Sequence, residues 1–340
     1  MRKIKFLFQR IISMDYKNMF DTVKEVHKLM GKNSILIFLD IIYSGLKYQA
    51  GYLDYLDFEF YNLNKTQRSS YVTRGVSNQY VRNLNDAEES KILADKIKFL
   101  NHFDDVSGRE WYDLENGTFE GFRDFFKRNQ KIVAKPKEGV CGRGIEFFTY
   151  DEDSARSIYE GMIESGQFLA EEYLIQHADL IKFHPHSVNT IRVMGIQKNG
   201  KVVIPYASIR TGNGNSVDNL NSGGYVGRID LDTGVVYTDG VGKYGMSAKN
   251  HPITGVQFKG FKIPRFDEVL DIVRKVSSKV PNVGFIGWDV AILDDKVVVI
   301  EGNEFPGHDI YQLPLTLGEG RIGMKPIFDR IIADLHQGDL

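Results

Sequence analysis

The chain is 340 residues long, 42% hydrophobic and 26% charged, with a formal net charge of −2. That length carries a sizeable core and two or three subdomains, and the composition is that of an ordinary soluble globular protein. The near-neutral balance gives no electrostatic reason to expect nucleic acid as a partner, and no apolar run approaches the roughly 20 residues that span a bilayer. A single cysteine, Cys141, excludes an internal disulfide and fits a reducing, cytoplasmic setting.

The N-terminal MRKIKFLFQRII has the charge of a signal peptide but too short an apolar stretch. It is expected to pack against the protein body as an amphipathic helix, the alternative being a helix lying on a membrane surface. Residues 1 to about 100 contain no proline and no strand pattern and read as helical. Leu29, Ile35, Leu36, Leu39, Ile42, Tyr43 and Leu46 approximate helical spacing, and 34–43, which carries Asp40, reads as a buried helix. A second helix is expected over 86–99, capped by Asn85 or Asp86.

From Lys131 onward the texture changes to short β-rich runs between Gly and Asp turns. Strands are expected at 131–135, 145–149, 168–173, 190–197, 202–209, 225–230, 235–238, 285–293 and 296–301. Helices are expected at about 152–164, 265–280 and 323–335. Many hairpin-joined strands with helices apart indicate an α+β architecture rather than a doubly wound sheet. No internal repeat or low-complexity linker is evident.

Three segments carry chemistry. After the 131–135 strand, Lys135 precedes a loop containing Gly139, Gly142 and Gly144. Its backbone N–H groups are suited to cradling phosphate oxygens, with Arg143 able to close over a γ-phosphate. It is not a Walker A loop, because Gly-Lys-Ser/Thr is missing and a strand follows. One helix later, Glu171-Glu172-Tyr173-Leu174 suits a connector whose backbone reads an adenine edge. Near the end, β-branched runs flank the polar turn Asp294-Asp295-Lys296. With those three residues as the loop, Asp289 pairs with Glu301, and Asn303 shares the face of Glu301. Two carboxylates and an amide oxygen then converge, a donor set that suits Mg²⁺.

The order of these pieces resembles the ATP-grasp superfamily, in which two α+β lobes grip ATP; Asp95-Lys96 before the first lysine strand is similar too. The resemblance covers about residues 90 to 335. It implies that Lys96 and Lys135 contact phosphates and adenine, that Gly139, Gly142 and Gly144 form the lid, and that Glu171, Glu172, Tyr173 and Leu174 form the adenine hinge. It further implies that Asp289, Glu301 and Asn303 hold two Mg²⁺ ions. The segments SVNTIRV, NLNSGG and HPITG are similar to the sugar-transfer-associated branch, as is a helical N-terminal extension. The implied divisions are 1–65 for that extension, 66–130 for the N-terminal part, 131–175 for the lid lobe and 176–340 for the C-terminal lobe.

Ligases of the D-alanine–D-alanine type carry an arginine two positions before the first metal aspartate, where this chain has Gly287. Arg192, from the 190–197 strand, is the natural substitute, its bland alternative being a surface salt bridge. Pro306-Gly307 matches the turn whose backbone N–H, at Gly307, helps form an oxyanion hole. Asn219, Asn221, Gly223 and Gly224 lie in a polar loop suited to a polyhydroxylated substrate, and Arg210 just before it suits an anionic group. His177 or Asp179 would bond ribose or substrate. His184 and His186 lack the third ligand of a transition-metal site, and Cys141 lacks a histidine base.

These readings imply an ATP- and Mg²⁺-dependent ligase that makes an acyl phosphate from a small-molecule carboxylate and transfers the acyl group to an amine, with sugar-linked substrates among the options. The branch suggests polysaccharide or cell-envelope biosynthesis. The alternatives are a phosphotransferase acting on a sugar-like hydroxyl, with Asp218 or His308 as base, and a non-catalytic nucleotide-binding module.

Overall fold

The computed structural model describes residues 16–137, 144–214 and 220–338. Among them, eleven strands make two antiparallel sheets. The smaller, in the order β1-β4-β2-β3, contains β1 (Trp111–Asp113), β2 (Lys131–Lys135), β3 (Glu146–Thr149) and β4 (Leu169–Glu172). Strand alternation divides its two faces. Ile132, Ala134 and Ala170 pack with Phe122, Phe126 and Met162 of the helices Phe119–Asn129 and Ala155–Glu164. Lys131, Val133 and Lys135 take the opposite face, where Val133 pairs with both Phe147 and Glu171.

The larger sheet runs β11-β10-β5-β6-β7-β8-β9. Its strands are β5 (Ile191–Lys198), β6 (Lys201–Thr211), β7 (Tyr225–Ile229), β8 (Gly240–Val241), β9 (Ser247–Ala248), β10 (Phe285–Ile292) and β11 (Val297–Asn303). On one face Ile191, Val193, Ile286 and Trp288 share a core with Val269, Val273 and Val276 of the helix Phe266–Ser278. On the other, Met194, Ile196, Tyr206 and Phe285 meet the helices Arg74–Leu84 and Lys325–Gln337 through Tyr80, Phe328 and Ile331. The N-terminal helices, including Tyr16–Met30, Ser34–Tyr48 and Tyr52–Asp57, build a separate core around Val26, Ile37, Ile41, Tyr55, Phe58 and Phe60.

The α+β reading holds, with corrections. The helix expected over 86–99 is two helices, Ser90–Ala94 and Lys96–His102. Asp95 leaves helical geometry between them, and its carboxylate caps the second by accepting from the Ile97 and Lys98 amides at 3.0 and 3.1 Å. Short polar side chains compete with the helix ladder in this way. The strand expected at 235–238 is only a pair of isolated bridges, Val236 to Ile229 and Val235 to Lys262. β1, β8 and β9, of two or three residues each, are too short to show a period. Residues 34–43 do not form a buried helix. Ser34–Tyr48 buries Ile37, Ile41, Ser44 and Tyr48 and leaves Ile35, Leu36, Leu39, Tyr43 and Leu46 exposed.

The C-terminal hairpin reaches the expected Asp289–Glu301 pairing by another route. Leu293 donates to the Lys296 carbonyl at 2.8 Å, so the loop is Asp294-Asp295 alone and Ile292 faces Val297. The register then slips between Val290 and Asp289. Ile300 is the extra residue of a bulge, and beyond it Asp289 sits opposite Glu301 and Gly287 opposite Asn303.

Candidate active site

Register aligns a polar row across four neighbouring strands and into a fifth. Glu301 pairs with Asp289, Asp289 with Arg192, Arg192 with Ser208, and Ser208 with Arg228. Paired residues share a face, so the row crosses the large sheet on the side opposite Trp288. At its centre Arg192 grips Asp289 with both prongs, Nε to Oδ1 at 2.6 Å and Nη2 to Oδ2 at 2.8 Å. Arg210 adds Nη1 to Oδ2 at 2.9 Å. Burial alone would raise the Asp289 carboxyl, but the two guanidinium groups outweigh it and hold it far below the carboxylate range. Glu301 moves the other way, raised first by burial and then by the facing Asp289. Asn303 donates to the Gly287 carbonyl at 3.2 Å and to Glu301 Oε1 at 3.4 Å.

The space above Gly287 is filled. A Cβ there would stand 2.9 Å from the Pro306 Cβ and 3.2 Å from Arg192 Nη1. Glycine therefore lets the Pro306-Gly307 turn fold down onto β10. It also leaves the Arg192 guanidinium in the volume that a side chain at 287 would enter.

The small sheet supplies the opposing wall. Glu171 is 3% exposed and is held by Arg109, with Nε at 3.1 Å and Nη2 at 3.2 Å, and by the Lys135 ammonium. Burial pushes its carboxyl up, but Arg109 and then Lys135 prevail and hold it at about 2. Arg109 also reaches the large sheet, donating to the carbonyls of Val299 at 2.8 Å and Ile300 at 3.0 Å. The β11 bulge thus offers two successive carbonyls to one guanidinium, which straps the two sheets together. Lys96 opens its helix with its amide on the Lys137 carbonyl at 3.3 Å. Its ammonium is lowered first by burial, and it feels Glu301, Lys135 and Glu171. Lys135, Glu171 and Glu301 therefore all lie within electrostatic reach of Lys96.

Other expected residues stand elsewhere or in other roles. Arg210 does not lie open for a substrate anion, because it is committed to Asp289. Glu172 accepts from the Glu110 amide at 3.0 Å on the sheet edge. The Tyr173 ring lies under Lys131 Nζ at 3.7 Å and beside Phe147, whereas the Leu174 side chain is buried with Ala291, Leu293 and Val298. Asp179 binds Lys182 at 2.6 Å near His177 and the Asp294 turn, at the far end of the hairpin from Asp289. Gly144 accepts from Gln167 at 2.9 Å. His184 receives the Gly214 amide at 3.2 Å and His251 bonds the Gly212 carbonyl at 2.7 Å, so both pin the stem of the polar loop. Gly223 and Gly224 lie at the other end of that loop, after the short turn Leu220–Ser222 that contains Asn221. Gly139, Cys141, Gly142, Arg143, Asp218 and Asn219 lie outside the described residues.

Sequence reasoning missed Arg109, Arg228, and the platform of Val133, Phe147 and Lys131. It also missed a second charged cluster beneath the Pro306-Gly307 turn. There Lys243 joins Asp309 at 3.0 Å and Asp57 at 3.6 Å, while His308 meets Asp54 at 2.5 Å. The N-terminal helices thereby reach the segment that follows Asn303. Asp57 is raised to about 6, first by burial and further by Asp309 and Asp54, with Lys243 opposing.

For Mg²⁺ the oxygen donors of Glu301, Asp289 and Asn303 fit by chemistry, and the raised Glu301 marks two carboxylates crowded enough for a cation to relieve. Among the described residues no group of three or more His, Cys, Asp or Glu is arranged around a metal position. Both Asp289 oxygens already accept from arginine, so a cation at Asp289 would share them with Arg192 and Arg210.

The small sheet carries Lys135 and Glu171, the large sheet carries Arg192, Asp289 and Glu301, and the comparisons with known proteins assign the family. The family described as sugar-transfer associated ATP-grasp matches residues 75–320, and the chain belongs to that family. No curated protein matches the chain significantly. Similar solved structures include D-alanyl-alanine synthetase A from Vibrio cholerae, at TM-score 0.46 and 13% identity over 73% of this chain and 66% of that one. The D-alanine–D-alanine ligase from Helicobacter pylori has a TM-score of 0.43 and 13% identity over 66% of this chain and 58% of that one. The ATP-grasp ligase PsnB with minimal precursor, Mg and ADP has a TM-score of 0.40 and 14% identity over 79% and 69%. The chain thus spans less than two thirds of the length of the first two ligases.

Proposed function

We propose that the protein is an ATP- and Mg²⁺-dependent ligase that activates a carboxylate as an acyl phosphate and joins it to an amine. The observation that carries this reading is the Arg192 guanidinium above Gly287, between the Asp289–Glu301 pair and the Pro306-Gly307 turn. A fixed cation beside a backbone turn is what a developing acyl oxyanion needs, once Arg192 yields part of its grip on Asp289.

In this reading Lys96 and Lys135 hold the nucleotide phosphates, and Val133, Phe147 and Tyr173 give the adenine an apolar bed. Glu301, Asn303 and Asp289 would hold Mg²⁺, which when bound would supply charge neutralisation at the nucleotide phosphates. A carboxylate oxygen attacks the γ-phosphorus as the bridging bond to ADP breaks. The amine then attacks the acyl carbon, loses its proton, and phosphate departs with the carbon–oxygen bonding pair. Arg192 and the Gly307 amide stabilise the oxyanion between those events, so catalysis is positioning and electrostatics. The family association supports an amino acid and a uronic acid as the partners, within polysaccharide or cell-envelope biosynthesis.

A second reading, phosphotransfer to a sugar hydroxyl, draws support from the His308–Asp54 pair, an imidazole oriented by a carboxylate beside Gly307. Hydroxylamine trapping separates the two. Incubation with ATP, Mg²⁺ and panels of amino acids and uronic acids is expected to yield a hydroxamate and ADP. A phosphorylated hydroxyl product without hydroxamate would overturn the ligase.

A further inference from the structure

The helix Ser34–Tyr48 turns an uncovered face to solvent. Ile35, Leu36, Leu39, Tyr43 and Leu46 are 69, 65, 56, 40 and 59% exposed, and every exposed residue from Ile35 to Leu46 is apolar. The one carboxylate of this helix, Asp40, is drawn aside by Arg68 and Tyr55, each at 2.7 Å. Phe20 of the preceding helix is 50% exposed and stacks on Phe38 at 5.9 Å, which extends the patch. Soluble monomers rarely leave so continuous an apolar surface without a contact to make.

The surroundings are cationic. Lys47 lies 5.4 Å over the Tyr43 ring and donates to its hydroxyl at 2.8 Å, and Lys65 acts electrostatically on the same hydroxyl. Residues 1–50 hold nine Lys and Arg against four Asp and Glu, a net +5 in a chain of net −2, so the remainder carries −7. Among the described residues, 16–50 hold five Lys against three Asp and Glu, a net +2, and that balance suits an anionic partner. A second copy would set one positive segment against another. A helix of 15 residues rises only about 22 Å, and no helix among the described residues is long and apolar enough to cross a membrane.

We propose that this face docks the protein peripherally on an anionic lipid surface, with Ile35, Leu36, Leu39, Tyr43 and Leu46 entering the boundary between head groups and acyl chains and Lys47 and Lys65 meeting lipid phosphates. The full chain is sedimented with vesicles of phosphatidylcholine alone and of phosphatidylcholine and phosphatidylglycerol in equal parts, at low and high salt. Binding is expected only to the anionic vesicles, weakening with salt. The double substitution Leu36→Glu/Leu39→Glu is expected to abolish it with the thermal midpoint unchanged, since both leucines face outward. Lys47→Glu/Lys65→Glu is expected to weaken it at least tenfold, each lysine near an anionic surface being worth about fivefold.

Three results would overturn the proposal. One is a wild-type protein that does not sediment with anionic vesicles. Another is sedimentation undiminished by both double variants, which moves any membrane contact to another segment. The third is a dimer by light scattering that Leu36→Glu/Leu39→Glu dissolves in a protein without lipid binding, which assigns the face to a second copy.

Discussion

At Asp289 two guanidinium groups converge on one buried carboxylate, and a second carboxylate, Glu301, faces it from the next strand. Truncating Arg192 removes both a partner of that carboxylate and the cation over Gly287. Arg192→Ala is expected to lower the rate of hydroxamate formation about 100- to 1,000-fold, the usual loss for one oxyanion donor, with Arg192→Lys recovering little because a point charge cannot reproduce the fork. Glu171 is expected to matter for stability. Glu171→Gln leaves Arg109 and Lys135 buried without their anion, at a cost of about 3 kcal/mol, measured by urea denaturation. Because Glu171 is depressed to about 2 from 4.5, its contribution is present above pH 4.5. It is lost as pH falls toward 2, where the variant and the parent should converge.

At the scale of elements, the hairpin β10–β11 sets the site by combining a two-residue turn with a compensating bulge. At Gly287 that geometry leaves no room for a side chain. Gly287→Val is expected to push Pro306 and Arg192 apart, costing about 1 to 3 kcal/mol as overpacking and depressing kcat more than the thermal midpoint predicts. The expectation would be wrong if kcat were unchanged. The hairpin was readable because strand period and turn polarity are both local signals, but its Asp289–Glu301 pairing agreed only because the three-residue loop expected there shifts the register as the two-residue turn and bulge together do. The bulge was not, since Ile300 looks like any other β-branched residue until the partner strand is placed. Lys135 and β2 were readable for the same local reason. The strap from Arg109 was hidden because its partners, Val299, Ile300 and Glu171, are distant in sequence and two of them contribute only carbonyls. The apolar stripe of Ser34–Tyr48 misled because periodicity reports that one face is apolar and not that this face is covered.

Across the whole molecule, the N-terminal helices are wired into the catalytic half through Asp54 and Asp57. Asp57 is raised to about 6 from 3.8, so ionising it disfavours folding. Its contribution is fully present below pH 3.8 and is lost as pH rises through 6. Asp57→Asn is therefore expected to be more stable than the parent by about 2 to 3 kcal/mol above pH 7, from a shift of that size, and equal to it near pH 4. Thermal melts across that range check the sign. A variant less stable at neutral pH would mean that the Lys243 contact outweighs burial.

The Asp289 carboxylate also has a consequence for the resting protein. It answers Arg192 and Arg210 with an anion of its own, so stray phosphate, sulfate or acetate gains little by entering, and the cleft stays quiet until something can draw a guanidinium away. A cation that competed for the same oxygens would loosen that grip and free a guanidinium.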